Sequence, residues 1–219
     1  MVFKPSWSSA LSGYLPALSG YTAPMPHRSA TVSRTTKETS ITVTWDLDVS
    51  GPSSISSGIG FLDHMLEALA KHSGTTLAVA CQGDLHIDGH HTTEDIGIVM
   101  GQALRQALGD RAGIERFGHI ACPLDEALVE ATVDVSGRPY LVYDLQPPAA
   151  ALGTWATELV PEFFGGLTDH ARICLHMHQR AGRNTHHIVE AAFKATARAL
   201  RQAIRITGSE VPSTKGSLE

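Results

Sequence analysis

Between residues 29 and 49 the chain alternates: Ile41, Val43, Trp45, Leu47 and Val49 take every second position, with Thr, Asp and Ser between them. A period of two describes a half-buried strand, and the polar TTKET stretch ahead of it predicts a turn back to an earlier strand in SATVSRT. The period then changes. In GIGFLDHMLEALAKHSG, glycines open a segment where Phe61, Met65, Leu66 and Leu69 recur at helical spacing. TTLAVACQ reads as a short apolar strand, and beyond GHHTTED a second helical face runs through Ile96, Val99, Met100, Ala103 and Ala107 to Gly109. The order is strand, strand, helix, strand, helix.

The second half repeats it. HIACPLDEALVEATVDVSG and RPYLVYDL read as strands, ATELVPEFFGGLTDHA as a helix, RICLHMHQ as a strand and HHIVEAAFKATARALRQAIRI as the last helix. A short motif marks the correspondence: His90, His91 and Glu94 return as His186, His187 and Glu190, a shift of 186 minus 90, or 96 residues. In both halves the HHxxE element opens the final helix, so the repeat covers architecture as well as motif. The expected fold is α+β, a duplicated half-domain forming two sheets with helices packed between or against them. Residues 29–110 and 111–207 form the halves, and 208–219 a polar tail. Residues 1–28, rich in Ser, Pro and Gly and without periodicity, read as a flexible extension rather than an Arg-rich amphipathic transit peptide.

Composition narrows the function classes. A formal net charge of -5 gives no general pull toward nucleic acid or anionic membrane, and no apolar run approaches the ~18 residues that span a bilayer. Three widely spaced cysteines, Cys81, Cys122 and Cys174, argue against a disulfide framework or thiolate zinc site and fit a reducing compartment. The expected location is cytoplasmic, or a plastid if the extension is a transit peptide.

One HH pair is ordinarily a surface or capping feature, but its recurrence at the same structural place argues for metal binding. Residues three or four apart on a helix share a face, so His91 should converge with Glu94, and His187 with Glu190, while His90 and His186 face elsewhere. Four imidazoles and two carboxylates suit a pair of six-coordinate divalent ions such as Mn²⁺ better than a structural Zn²⁺. His64 in FLDHM and Glu162 in VPEFF occupy corresponding helices and are candidates to complete the two shells. His86, His119, His170 and His178 read as surface or hydrogen-bonded residues, and His176, on a strand, is undecided.

GIGFLDHML, DLHIDGHHTTEDIG, GIERFG, PLDEALVEATVDVSGRPYLVYDL, GRNTHHIVEAAFKATARALRQA and PSTKG together resemble the imidazoleglycerol-phosphate dehydratase family from about residue 29 to 218. The resemblance implies a ribosomal protein S5 domain 2-like duplication, two Mn²⁺ per active site, and a 24-mer with sites at subunit interfaces. It implies metal ligands His64, His90, His91, Glu94, Glu162, His186, His187 and Glu190, with Glu162 standing where some relatives carry histidine. Glu38 is then the candidate acid/base, Asp125 and Lys194 line the site, and His72 positions the substrate. Arg116, Arg138, Ser213 and Lys215 hold its phosphate, as guanidinium forks and an ammonium suit it, with PSTKG ordering on substrate. The implied reaction dehydrates D-erythro-imidazole-glycerol phosphate to imidazole-acetol phosphate in histidine biosynthesis, through a metal-bound imidazolate and a diazafulvene-like intermediate. A two-metal phosphoester hydrolase and a non-catalytic metal-storage scaffold are the alternatives to this reading.

Overall fold

The computed structural model describes residues 27–218. The period-two segment is one side of an antiparallel hairpin, β1 (Ser29–Thr35) and β2 (Thr39–Asp46), with Ser29 opposite Asp46. Ile41, Val43 and Trp45 are buried beneath it. The opposite face is a hydroxyl ladder in which Thr31 meets Thr44 and Ser33 meets Thr42. Val49, expected to continue the alternation, is 47% exposed. The Asp46 carboxylate accepts from the N–H groups of Asp48 and Val49, a side-chain turn that ends the strand.

β3 (Ser54–Ser56) follows, then α1 (Gly60–Ser73), β4 (Thr76–Gly83) and α2 (His90–Leu108). β3 pairs parallel with β4, giving a sheet ordered β1-β2-β4-β3. Three residues of PSSISS are too short and too polar for the alternation test, so this edge strand was not expected. The second half contains β5 (Phe117–Leu124), β6 (Ala127–Asp134) and β7 (Tyr140–Asp144). A small hairpin, β8 (Ala151–Leu152) with β9 (Trp155–Ala156), precedes α3 (Leu159–Ala171), β10 (Cys174–Ala181) and α4 (Thr185–Ala203). Its sheet, β5-β6-β10-β7, has the same topology as the first. The repeated unit is therefore the expected one with a strand more: β3 in the first half, and in the second the stretch HIACPLDEALVEATVDVSG, read as one strand, is the β5–β6 hairpin, with RPYLVYDL the parallel β7.

Helices α2 and α4 lie on β1–β2 and β5–β6, and the helices meet across the halves, α1 against α4 and α2 against α3. One core results, in which Phe163, Phe164 and Phe193 pack ring on ring with centroids 4.7 to 5.3 Å apart. Glycine sets how closely α2 and α3 approach. A Cβ on Gly97 would stand 2.4 Å from the carbonyl oxygen of Phe163, and one on Gly101 2.6 Å from that of Leu167. From the other helix, a Cβ on Gly166 would stand 2.8 Å from the Glu94 carbonyl.

Residues 1–26 of the expected extension lie outside the described residues. Arg28, its last member, is tied down, with its guanidinium donating to Asp48 and to the Ile204 carbonyl. The tail is fastened as well, unlike the free segment expected. Thr207 and Gly208 donate to the Gly113 carbonyl, Gly113 donates to that of Glu210, and Leu218 is buried with its carbonyl accepting from Arg111. Among the described residues no helix is long and apolar enough to cross a membrane.

Backbone atoms cannot swing aside as side-chain ends do, so Gly97→Ala and Gly101→Ala should each destabilise the protein by about 1–3 kcal/mol. Urea denaturation monitored by tryptophan fluorescence checks this, and an unchanged midpoint would show that the two helices are free to separate.

Candidate functional site

The Asn184 side chain caps α4 by accepting from the N–H groups of His186 and His187, which fixes where the helix starts. His186 and Glu190 then lie one turn apart, with His186 Nε2 2.9 Å from Glu190 Oε2. From α1, His64 brings its Nε2 to 3.4 Å from the same oxygen. The three ligand atoms all fall within 4.8 Å of one another, the one such converging group of His, Cys, Asp or Glu side chains among the described residues. Phe61 walls the cluster, its ring edge-on to both His64 and His186.

This corrects the expected pairing within each motif. His186, not His187, joins Glu190, and in the first half His90 approaches Glu94, Nε2 to Oε2 3.9 Å. Four residues leave an offset of about 40° around a helix and three leave about 60°, and side chains lean toward the N-terminus, so the carboxylate reaches back over the histidine a full turn earlier. His91 and His187 turn away to other carboxylates. His91 Nδ1 lies 2.9 Å from Asp84 Oδ2, and His187 Nδ1 lies 2.7 Å from Glu126 Oε2.

Charge in the cluster is balanced within the chain. Burial alone would raise the Glu190 carboxyl, but the hydrogen bonds from Lys194 and His186 outweigh it and hold the pKa below the usual range. Lys194 Nζ is 2.6 Å from Glu190 Oε1, so α4 supplies a cation to one oxygen and an imidazole to the other, which His64 of α1 also approaches. Burial, reinforced by the charges of Lys194 and Arg198, pushes the neighbouring His72 down and keeps it neutral. Burial also pushes the Cys81 thiol up to about 11, and the Cys122 and Cys174 thiols upward, so no thiolate competes. The donors are imidazole nitrogen and carboxylate oxygen, a set that fits a divalent cation of the Mn²⁺ type.

Comparison with known proteins gives the arrangement its relatives. The sequence pattern of the imidazoleglycerol-phosphate dehydratase family matches residues 57–200. The chain belongs to the imidazoleglycerol-phosphate dehydratase family. It is 56% identical over 195 residues to the Gluconobacter oxydans enzyme of that name, covering 87% of this chain and 98% of the relative. Identity to the Prochlorococcus marinus (strain NATL1A) enzyme is 53% over 195 residues, 88% of this chain and 96% of that one. The crystal structure of the Staphylococcus aureus dehydratase superposes with a TM-score of 0.75 at 41% identity, over 82% of this chain and 99% of its own. That of the Pyrococcus furiosus enzyme, in complex with (S)-C348, also gives 0.75 at 41%, over 85% and 100%. The protein is accordingly a hydro-lyase, a carbon–oxygen lyase of histidine biosynthesis.

The other residues singled out for the dehydratase fall into separate groups. Glu38 is exposed on the turn between β1 and β2, near enough to His91 that its charge adds to the upward pull of the Asp84 hydrogen bond on that imidazole. Asp125, at the matching turn between β5 and β6, has φ +46° and lies 3.6 Å from His187 Nε2. Glu162 is half-buried in the first turn of α3, one turn before the glycine that touches the Glu94 backbone, and outside the converging group. Arg116 lies elsewhere, forked onto Asp134 and donating to the Pro212 carbonyl, beside Ser213 and Lys215 of the tail. Arg138 follows the turn at Gly137, its N–H donating to Ser136 Oγ. His119, His170 and His178 are hydrogen-bonded to Thr132, the Gly166 carbonyl and Asp144, as expected. His176 lies on the outward face of β10 beside the Tyr140 and His178 rings, away from the cluster.

Sequence reasoning missed Asp84, Glu126 and Asp95. The hydrogen bond from His187 and those from the Asn184 and Arg183 backbone hold the Glu126 carboxyl down at about 2. Asp95 is 6% exposed, accepts from Thr39 Oγ1 and lies 2.6 Å from Arg34 Nη1, tying both sides of the Glu38 turn to α2. Its place in TTED, directly after a motif carboxylate, was the available signal.

Removing the Asp95 carboxylate strands Thr39 and a partly buried guanidinium. Asp95→Ala should cost about 1–3 kcal/mol, and Asp95→Asn, which keeps an acceptor for Thr39, less. Urea midpoints for the two variants decide this, and equal losses would deny the Thr39 hydrogen bond any part and leave the whole cost with the charge.

Proposed function

We propose that this chain dehydrates D-erythro-imidazole-glycerol phosphate to imidazole-acetol phosphate with two Mn²⁺ ions per active site, in the cytoplasm, as part of a 24-mer whose sites lie between subunits. The observation that carries the metal reading is the convergence of His64 with His186 and Glu190, one helix from each half, with their ligand atoms all within 4.8 Å of one another. His90, His91, Glu94, His187 and Glu162 are the further ligands this reading assigns. When bound, the cations supply positive charge that stabilises the imidazolate form of the substrate ring, which a carboxylate base by itself cannot do for so weak a carbon acid.

The chain's own groups take the remaining work. Glu38, exposed at a hairpin tip, carries the acid/base step at the glycerol carbons, with Asp125 at the other tip and Lys194 beside Glu190 lining the site. His72, neutral, positions the substrate by hydrogen bonding rather than charge. Arg116, Arg138, Ser213 and Lys215 hold the phosphate.

Geometry within one chain supports the assembly. The Arg116 N–H donates to the Ala203 carbonyl at the C-terminal end of α4, while His186 stands near its first turn. Seventeen residues of helix separate those ends by about 25 Å, longer than the extended substrate. This reading therefore assigns the imidazole and the phosphate to different copies of the chain.

The test is a ketone-product assay on imidazole-glycerol phosphate with chelated protein, before and after Mn²⁺ is restored. Turnover should depend on Mn²⁺ and fall by at least about 100-fold in Glu38→Gln. Because ligands from separate subunits link metal binding to association, chelation should also yield smaller oligomers on light scattering. Full activity in the chelated protein would refute the metal dependence.

A further inference from the structure

The two hairpins correspond residue by residue. Ser29 faces Asp46 as Phe117 faces Asp134, an offset of 117 minus 29, or 88, in both strands. That offset carries Glu38 onto Glu126, not onto Asp125. The two turn carboxylates nonetheless stand in different surroundings. Glu38 is exposed, whereas Glu126 spends one oxygen on His187 Nδ1 and the other on the N–H groups of Arg183 and of Asn184, the α4 cap. In the first half the equivalent service to His91 comes from Asp84, at the end of β4, whose Oδ2 meets Nδ1 and whose Oδ1 is buried without a hydrogen-bond partner.

An ionised carboxylate is purely an acceptor, so the ring nitrogen facing it must carry the proton. Both rings are then in the Nδ1–H tautomer, with the lone pair on Nε2, the ligating nitrogen, pointing away from the carboxylate. We infer that Asp84 and Glu126 are positioning residues for metal ligation, fixing the tautomer and ring orientation of His91 and His187. Glu126 performs this from the hairpin position that, in the first half, is left to Glu38. Duplication thus supplied two equivalent turn carboxylates; one was drawn into holding a ligand, while Asp84 released the other for proton transfer.

The inference rests on the proposed metal dependence, and the experiment separates the two. Metal-free wild type, Asp84→Ala and Glu126→Ala are titrated with Mn²⁺ by calorimetry, with Glu130→Ala as a control that removes a surface carboxylate paired to Arg180. Wild type and control should bind alike, and each variant 10–100-fold more weakly, roughly the usual consequence of losing such a partner. ¹⁵N-histidine spectra of the metal-free proteins, taken where imidazoles are neutral, supply a readout that loosened packing does not mimic. In the wild type the His91 and His187 rings should be in the Nδ1–H form, as His170 and His178 are from their own acceptors, and each variant should lose one such ring while those two stay unchanged. Asp84 has no backbone to cap through its carboxylate, so its variant guards against a folding defect at the α4 start in Glu126→Ala. Wild-type affinity and an unchanged tautomer in Asp84→Ala and Glu126→Ala would overturn the inference and leave the metal reading standing. A wild type that binds no Mn²⁺ would overturn both.

Discussion

The contact between helices of opposite halves is the constraint on which the rest depends. His64 belongs to the first repeat and His186 and Glu190 to the second, so their ligand atoms meet because α1 lies against α4. The companion contact, α2 on α3, is set by Gly97, Gly101 and Gly166, where helix backbones approach to distances no side chain permits. Neither half could assemble this cluster alone. Buried Phe193, stacked among the aromatic side chains of α3, links the two helix pairs into one body and fixes α4 relative to both sheets.

Rigidity of α4 then governs what a single chain can do. One end holds the histidines and Glu190, and the other is bonded through Ala203 to Arg116, whose guanidinium is committed to Asp134 and the tail. A packed helix does not shorten, so the His64–His186–Glu190 cluster and the Arg116 backbone stay at opposite ends of it however the loops move. Under the proposed function, this separation makes assembly a condition of catalysis rather than an accessory. On the same proposal, a tail fastened to the body sets the position of Ser213 and Lys215 in advance of substrate.

Much of this was legible in the sequence because it is periodic or repeated. The HHxxE recurrence exposed the duplication, and alternation through Ile41, Val43 and Trp45 placed the first sheet. β3 escaped because three polar residues carry no period. The pairing inside each motif was misjudged because sharing a helix face was treated as equivalent for three and four residues, whereas side-chain lean decides between them. Asp84, Glu126 and Asp95 escaped for another reason: Glu126 and Asp95 lie distant in sequence from the groups they serve, while Asp84, seven residues before His91, sits where an acidic residue looks the same whether it caps, orients or is solvated. Their roles follow from where two hairpins and two helix N-termini come together, which spacing along the chain does not encode.

The division of the site between chains is the central claim, and complementation tests it most directly. His186→Ala removes the cluster at one end of α4 and Lys215→Ala the proposed phosphate contact, and each variant alone should be nearly inactive. Co-expressed with different tags and purified as mixed assemblies, the two should regain a substantial part of wild-type turnover, since some sites then draw both intact parts from different chains. Mixed assemblies no more active than either parent would place the whole site within one chain and contradict the account.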